Sequence, residues 1–234
     1  MREGQRPKAE PGTMTRPRIN SPLAFAWEYR RSELIADAFV HVTGLVLVVL
    51  GAIWFVMDAE GRDERSLLAV GIYLVTLCFL FSMSAAYNLW PVSPVKWRLR
   101  RFDHSAIYLL IAGTYTAFLL PLDRSGPLLL LLAIWSAAVI GVVLKLRYPG
   151  RFDRVSIALY LFLGWSGLLV FQQLAASFSE RTIFLIFLGG VLYSVGVIFH
   201  VWSQLRYQNA IWHGFVLVAA GCHYGAVASS FGLT

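Results

Sequence analysis

Charge is scarce in this chain. Asp, Glu, Lys and Arg make up 14% of its 234 residues, against about a quarter in an ordinary soluble domain, and the shortage excludes a water-facing surface over most of the molecule. Cysteine is nearly absent too. Cys78 and Cys222 are the two present, both inside apolar runs, and neither metal-type spacing nor a disulfide framework can be built from them. No apolar core directly follows the basic start, so a cleaved signal peptide is not expected. Strand-like alternation is missing as well. What the chain has is apolar mass, 58% of residues with a mean hydropathy of +0.64, more than a soluble fold can hide.

That mass is divided into runs at about 36–57, 67–88, 104–121, 127–145, 155–174, 182–202 and 210–230, each matched to the roughly 17 to 25 residues that cross a hydrocarbon layer of roughly 30 Å. A bilayer offers the backbone no hydrogen-bond partner, so runs of this length are expected as helices. The predicted fold class is all-α, an integral membrane bundle of seven transmembrane helices over 33–234. Ahead of it, residues 1–32 read as a flexible basic cytoplasmic tail and lead-in, with Pro7, Pro11, Pro17 and Pro22 among charged residues and glycine and too little apolar surface to offset the entropy of ordering.

Orientation follows from Lys and Arg. Sixteen of the twenty fall in the tail and in the second, fourth and sixth loops, and Arg62, Arg65, Arg124 and Arg181 alone fall in the others. The positive-inside bias then places the N-terminus in the cytoplasm and, across an odd number of spans, Thr234 outside. The formal charge of +7 is scattered in short clusters between spans and forms no stripe or face, which argues against a nucleic-acid partner. Trp90, Trp97, Tyr148, Trp202, Tyr207 and Trp212 flank the same ends as headgroup anchors. Gly189, Gly190, Ser194 and Gly196 would let a neighbouring helix approach closely. Together these features predict a multi-pass protein of the cell membrane.

The informative residues are the polar ones kept inside, because an ionisable side chain at mid-bilayer costs roughly 2.5 to 3.5 kcal/mol on insertion scales. Glu33, Asp37 and His41 open the first span four residues apart. Ser84 and Asn88 close the second, Asp103 and His104 open the third, and Asn209 and His213 open the seventh. Spacing of four places each pair on one helix face, and the topology brings all of them to the same membrane half, near His200. A polar cavity open to the cytoplasm is the expectation, with Glu33 and His200 taken singly as capping or packing residues. His223, ten residues beyond His213, lies roughly 15 Å further along the axis and reads as a satisfied core histidine.

Three segments carry a family signature: S-A-A-Y-N at 84–88, R-R-F-D-H-S-A-I-Y-L-L-I-A-G-T-Y-T at 100–116 and N-A-I-W-H-G-F-V-L at 209–217. In these the chain resembles the bacterial hemolysin III proteins, which belong with the adiponectin and progestin receptors in the PAQR family. The resemblance runs from Glu33 nearly to the C-terminus and implies that the cell membrane is a bacterial inner membrane. It implies a zinc ion held by three histidines, with a serine and an aspartate beside it. Carried over by position, the serine is Ser84, the aspartate Asp103 and one ligand His213. The other two ligand positions hold Asn88 and Asn209, and a neutral carboxamide is a poor substitute for the imidazole or thiolate that zinc favours. Zinc is therefore disfavoured at those positions.

The function expected is membrane homeostasis or lipid sensing, with a membrane lipid or fatty acid as partner in a cavity lined by Asn88, Asn209, His41, Asp37 and His104. The alternative implied by the resemblance is a zinc-dependent, ceramidase-like lipid amide hydrolase in which Asp103 positions water and Ser84 donates to the oxyanion. A pore-forming hemolysin ranks third, since a pore needs a continuous polar stripe and Leu128 to Ala133 and Val216 to Ala220 are apolar or small.

Overall fold

Each long apolar run becomes a helix, and the residues between them supply the stops and caps. Asp63 accepts from the Ser66 amide at 2.9 Å, Ser93 from the Lys96 amide at 3.3 Å with Pro94 in the first turn, and Ser179 from the Thr182 amide at 3.2 Å. These side chains satisfy amide groups that the first turn of a helix leaves unpaired. The Ser66 hydroxyl and amide together hold the Asp63 carboxyl below its ordinary value.

The computed structural model describes residues 30–232, so the tail expected over 1–32 and the placement of Thr234 lie outside the described residues or at their edge. The helices are α1 (Arg31–Met57), α2 (Glu64–Leu89), α3 (Pro94–Leu119), α4 (Ser125–Arg147), α5 (Asp153–Trp165), α6 (Phe171–Ser177), α7 (Glu180–Val201) and α8 (Gln208–Ser230). A 3₁₀ turn, Leu120–Leu122, extends α3, and another, Ser166–Val170, joins α5 to α6. With α5 and α6 taken as one span, seven segments are long and apolar enough to cross a membrane. The described residues contain no strand.

Close packing rather than aqueous exclusion must hold such helices together, since lipid is as apolar as leucine. Tyr73, Leu77 and Phe81 of α2 interlock with Leu110 and Phe118 of α3 to form the centre. A Cβ at Gly113 would collide with the Thr76 side chain, so this glycine sets the α2–α3 distance. The small residues of α7 split between two neighbours: Gly189 and Gly196 face His223 and Phe215 of α8, and Gly190 faces Trp165 of α5, whose indole donates to Ser194 at 3.0 Å.

The fifth span departs from the single uninterrupted helix expected over 155–174. Its α-helical ladder breaks at Ser166–Val170, and Tyr115 of α3 engages the freed groups. Its hydroxyl lies 3.0 Å from the Leu163 carbonyl, 2.9 Å from the Gly164 carbonyl and accepts from the Gly167 amide at 2.6 Å. A break at membrane depth is tolerated when neighbouring protein re-pairs the backbone in this way. The aromatic anchors also divide. Trp90, Tyr148 and Trp202 are exposed, but Trp97 is buried beneath the Arg100 guanidinium, and Trp212 packs on His200.

Candidate functional site

Alternation of direction brings the starts of α1, α3, α5 and α8 and the ends of α2, α4 and α7 to one face of the bundle. This is the face rich in Lys and Arg. Lys96, buried although charged, donates to the carbonyls of Asn88 and Trp90 at 2.9 Å each. A cation there meets the unpaired carbonyls and negative dipole end of α2, and fixes the α2–α3 turn from which Asn88 and Asp103 project.

Asp37 and His41, one turn apart on α1, meet His213 of α8. Asp37 Oδ1 lies 2.6 Å from His213 Nδ1 and 3.6 Å from His41 Nε2, and the two imidazole centroids are 4.4 Å apart. Asp37 and His41 are both buried. A buried carboxylate needs charge-assisted partners, and His213 supplies one across 176 residues of sequence.

Beside this trio, the Asn88 amide donates to the Ser84 carbonyl at 2.9 Å and approaches its hydroxyl at 3.4 Å. Asn209 Nδ2 reaches Asn88 Oδ1 at 3.5 Å, and the Asp103 carboxyl lies close to the Ser84 side chain. The polar residues singled out on α1, α2, α3 and α8 thus lie in one cluster. His104 is the exception in its partners: its ring turns to α5, with Nδ1 3.8 Å from Asp153 Oδ1, and Tyr160 donates to its carbonyl at 2.8 Å. Glu33 caps α1 by accepting from the Arg30 amide at 2.8 Å, and also accepts from the Tyr207 amide at 3.0 Å, holding Tyr207 in its left-handed conformation, φ 60°. His223 lies 3.2 Å from the Ile186 carbonyl, well away from the cluster.

A second charged group escaped the sequence reading. Asp153, at the start of α5, pairs with Arg100 of α3 at 2.5 Å and with Lys145 of α4 at 2.7 Å. Both cations are buried. In sequence they look like ordinary basic residues at span ends. The one available signal was Asp153 itself, a lone carboxylate among Lys145, Arg147, Arg151 and Arg154.

Both groups line the head of a cavity of about 430 Å³ that runs up between α3, α5, α7 and α8, within the roughly 300 to 1,000 Å³ typical of ligand pockets. Asn88, Asp103, His104 and His213 stand at its polar end, with Arg100, Lys145 and Asp153 beside them. Its walls are apolar, among them Ile107, Ile111, Leu161, Leu168, Ile186, Val197 and Val216. Of the sequence-predicted site residues, Ser84, Asn88, Asp103, His104, His41, Asn209 and His213 line this cavity. Asp37 instead faces a small side pocket with Glu33 and Tyr207.

The three positions at which the resemblance implies zinc ligands do not fit that ion. Asn88 turns its amide nitrogen to the Ser84 carbonyl and Asn209 turns its own to Asn88 Oδ1, leaving His213 as the single imidazole of the set. No catalytic step is derived through zinc there.

A family model described as haemolysin-III related matches residues 30–224. The hemolysin-3 homolog of Bacillus subtilis (strain 168) is 38% identical over 187 residues, covering 79% of this chain and 88% of that protein. Hemolysin-3 of Bacillus cereus is 37% identical over 188 residues, 79% and 85% of the two chains. The monocyte to macrophage differentiation factor of Homo sapiens is 28% identical over 205 residues, 83% of each. No solved structure matches the chain.

Proposed function

The chain belongs to the haemolysin-III related family, and from that premise we propose that this multi-pass membrane protein acts in membrane homeostasis by binding a membrane lipid or fatty acid in its internal cavity. One observation carries the reading: a cavity of about 430 Å³ whose walls are largely aliphatic and aromatic and whose charged residues gather at one end. That division matches an amphiphile, with a chain along Ile107, Ile111 and Ile186 and a headgroup at Asp103, His104, Arg100 and Lys145. The charge bias of the loops supports a cytoplasmic position for the polar end.

The test is membrane order in cells expressing the chain, read with a polarity-sensitive membrane dye. Ile111→Trp fills the cavity and is expected to abolish the chain's effect on membrane order, whereas Asn88→Ala and Asn209→Ala leave it largely intact. Equal loss in every polar-site alanine variant, with Ile111→Trp unaffected, would overturn the proposal.

A second reading, a lipid amide hydrolase, is favoured by the nearness of Ser84 and Asp103 at the polar end of the cavity. In it Asp103 takes the proton of the water that attacks the lipid amide carbonyl, Ser84 donates to the carbonyl oxygen, and Asp103 returns the proton to the leaving nitrogen as the C–N bond breaks. Release of fatty acid from a fluorescent ceramide, lost in Asp103→Asn, distinguishes it from a binding role. Absence of release by wild-type protein that still binds lipid rejects it.

A further inference from the structure

We propose that Asp37, His41 and His213 form a binding site for a divalent transition-metal ion of the zinc type, displaced from the three positions that the family resemblance implies. The inference stands on these three side chains and does not depend on lipid binding.

The donor set is two imidazoles and one carboxylate, a combination that binds zinc in protein sites with an open fourth position. The donors converge: one ligand atom from each residue lies within 4.8 Å of the others. Metal–ligand distances of roughly 2.0 to 2.2 Å set the donors of one tetrahedral ion about 3.4 Å apart, so the Asp37–His213 pair, now at 2.6 Å, opens by about 1 Å while His41 draws in. Spacing of four on α1 puts Asp37 and His41 on one helix face, and α8 brings His213 against that face.

His41 provides the observation that points to a ligand rather than to a plain ion pair. The residue is 2% exposed, and its Nε2 has no hydrogen-bond partner. The nearest oxygen, Asp37 Oδ1 at 3.6 Å, is beyond hydrogen-bonding distance. Burying an unpaired imidazole nitrogen is costly, and a cation held beside Asp37 would give it a partner. The 2.6 Å contact of Asp37 with His213 holds a proton, which is released to solvent as the two atoms part to admit the ion. His41 and His213 also line the cavity, so the open coordination position faces that space.

The experiment uses the full chain purified in detergent, stripped with a chelator, reloaded with Zn²⁺ or Co²⁺ and freed of excess ion by gel filtration. Elemental analysis is expected to give about one ion per chain, and Co²⁺ to show visible absorption of low coordination number. Asp37→Asn, His41→Gln and His213→Gln each weaken binding by more than the roughly 10- to 100-fold that loss of an outer-shell partner costs. Asn88→Ala and Asn209→Ala retain the ion. X-ray absorption on the Zn²⁺-loaded wild type tests the donor set without any variant, and two imidazoles with oxygen are expected. Substoichiometric metal, a spectrum without imidazole scattering, or binding that survives His41→Gln and Asp37→Asn but fails in the asparagine variants would overturn the proposal.

Discussion

Replacing Asp153 by asparagine keeps the shape of the side chain and removes the charge that Lys145 and Arg100 share at 2.7 and 2.5 Å. Both cations are buried, at 3% and 7% exposure. Breaking a buried ion pair from one side costs about 3 to 5 kcal/mol, because the remaining charge stays desolvated. The Asp153 side chain keeps 29% of its exposure at the cavity head, so screening places the loss at the lower end, about 3 kcal/mol. For a chain of this size about 2 to 4 °C is lost per kcal/mol. The melting temperature in detergent, followed by tryptophan fluorescence with matched lipid content, should therefore fall by about 6 to 12 °C. Adding Lys145→Gln removes one of the two cations that lose their carboxylate partner, the more deeply buried one, and should restore more than half of that loss. A melting temperature within about 2 °C of the parent, or a further fall on adding Lys145→Gln, would refute the reasoning.

Two further outcomes rest on helix packing. Tyr115→Phe removes the hydroxyl that engages Gly167 N and the Leu163 and Gly164 carbonyls, and should cost about 1 to 3 kcal/mol in thermal unfolding, the range for a buried group left unpaired, with faster hydrogen exchange confined to residues 163–170. Gly113→Ala places a Cβ against Thr76, whereas Gly214→Ala meets nothing within 4 Å. The first is expected to destabilise by about 1 to 3 kcal/mol and the second to be neutral or stabilising by up to about 1 kcal/mol. The pair is read in one thermal-shift experiment, and equal effects would contradict the packing described.

The number of spans was legible because crossing a bilayer is a local property of length and composition, which Arg31–Met57 or Ser125–Arg147 carry in their own residues. The gathering of Ser84, Asn88, Asp103, Asn209 and His213 was legible for a related reason. Alternating spans fix which ends share a face, and i, i+4 spacing fixes which side chains share a stripe. What stayed hidden depends on a partner from another helix. The break at Ser166–Val170 requires Tyr115 of α3, and its Gly-Trp-Ser-Gly sequence at 164–167 does not announce where the lost hydrogen bonds go. Lys145 and Arg100 obey the charge bias whether they snorkel to the surface or turn inward, so the bias could not reveal Asp153 as their shared partner. The short contact between Asp37 and His213 likewise joins residues that the sequence paired with their helical neighbours His41 and Asn209.

The central claim is that the cavity between α3, α5, α7 and α8 holds an amphiphile with its polar end at the Asp103 and His104 cluster. Native mass spectrometry of the full chain, released from detergent and followed by lipid extraction, tests it most directly. Wild-type protein should carry a lipid- or fatty-acid-sized adduct that Ile111→Trp lacks while remaining folded. Wild-type protein free of any such adduct after purification from membranes, or an adduct retained undiminished by Ile111→Trp, would contradict the account.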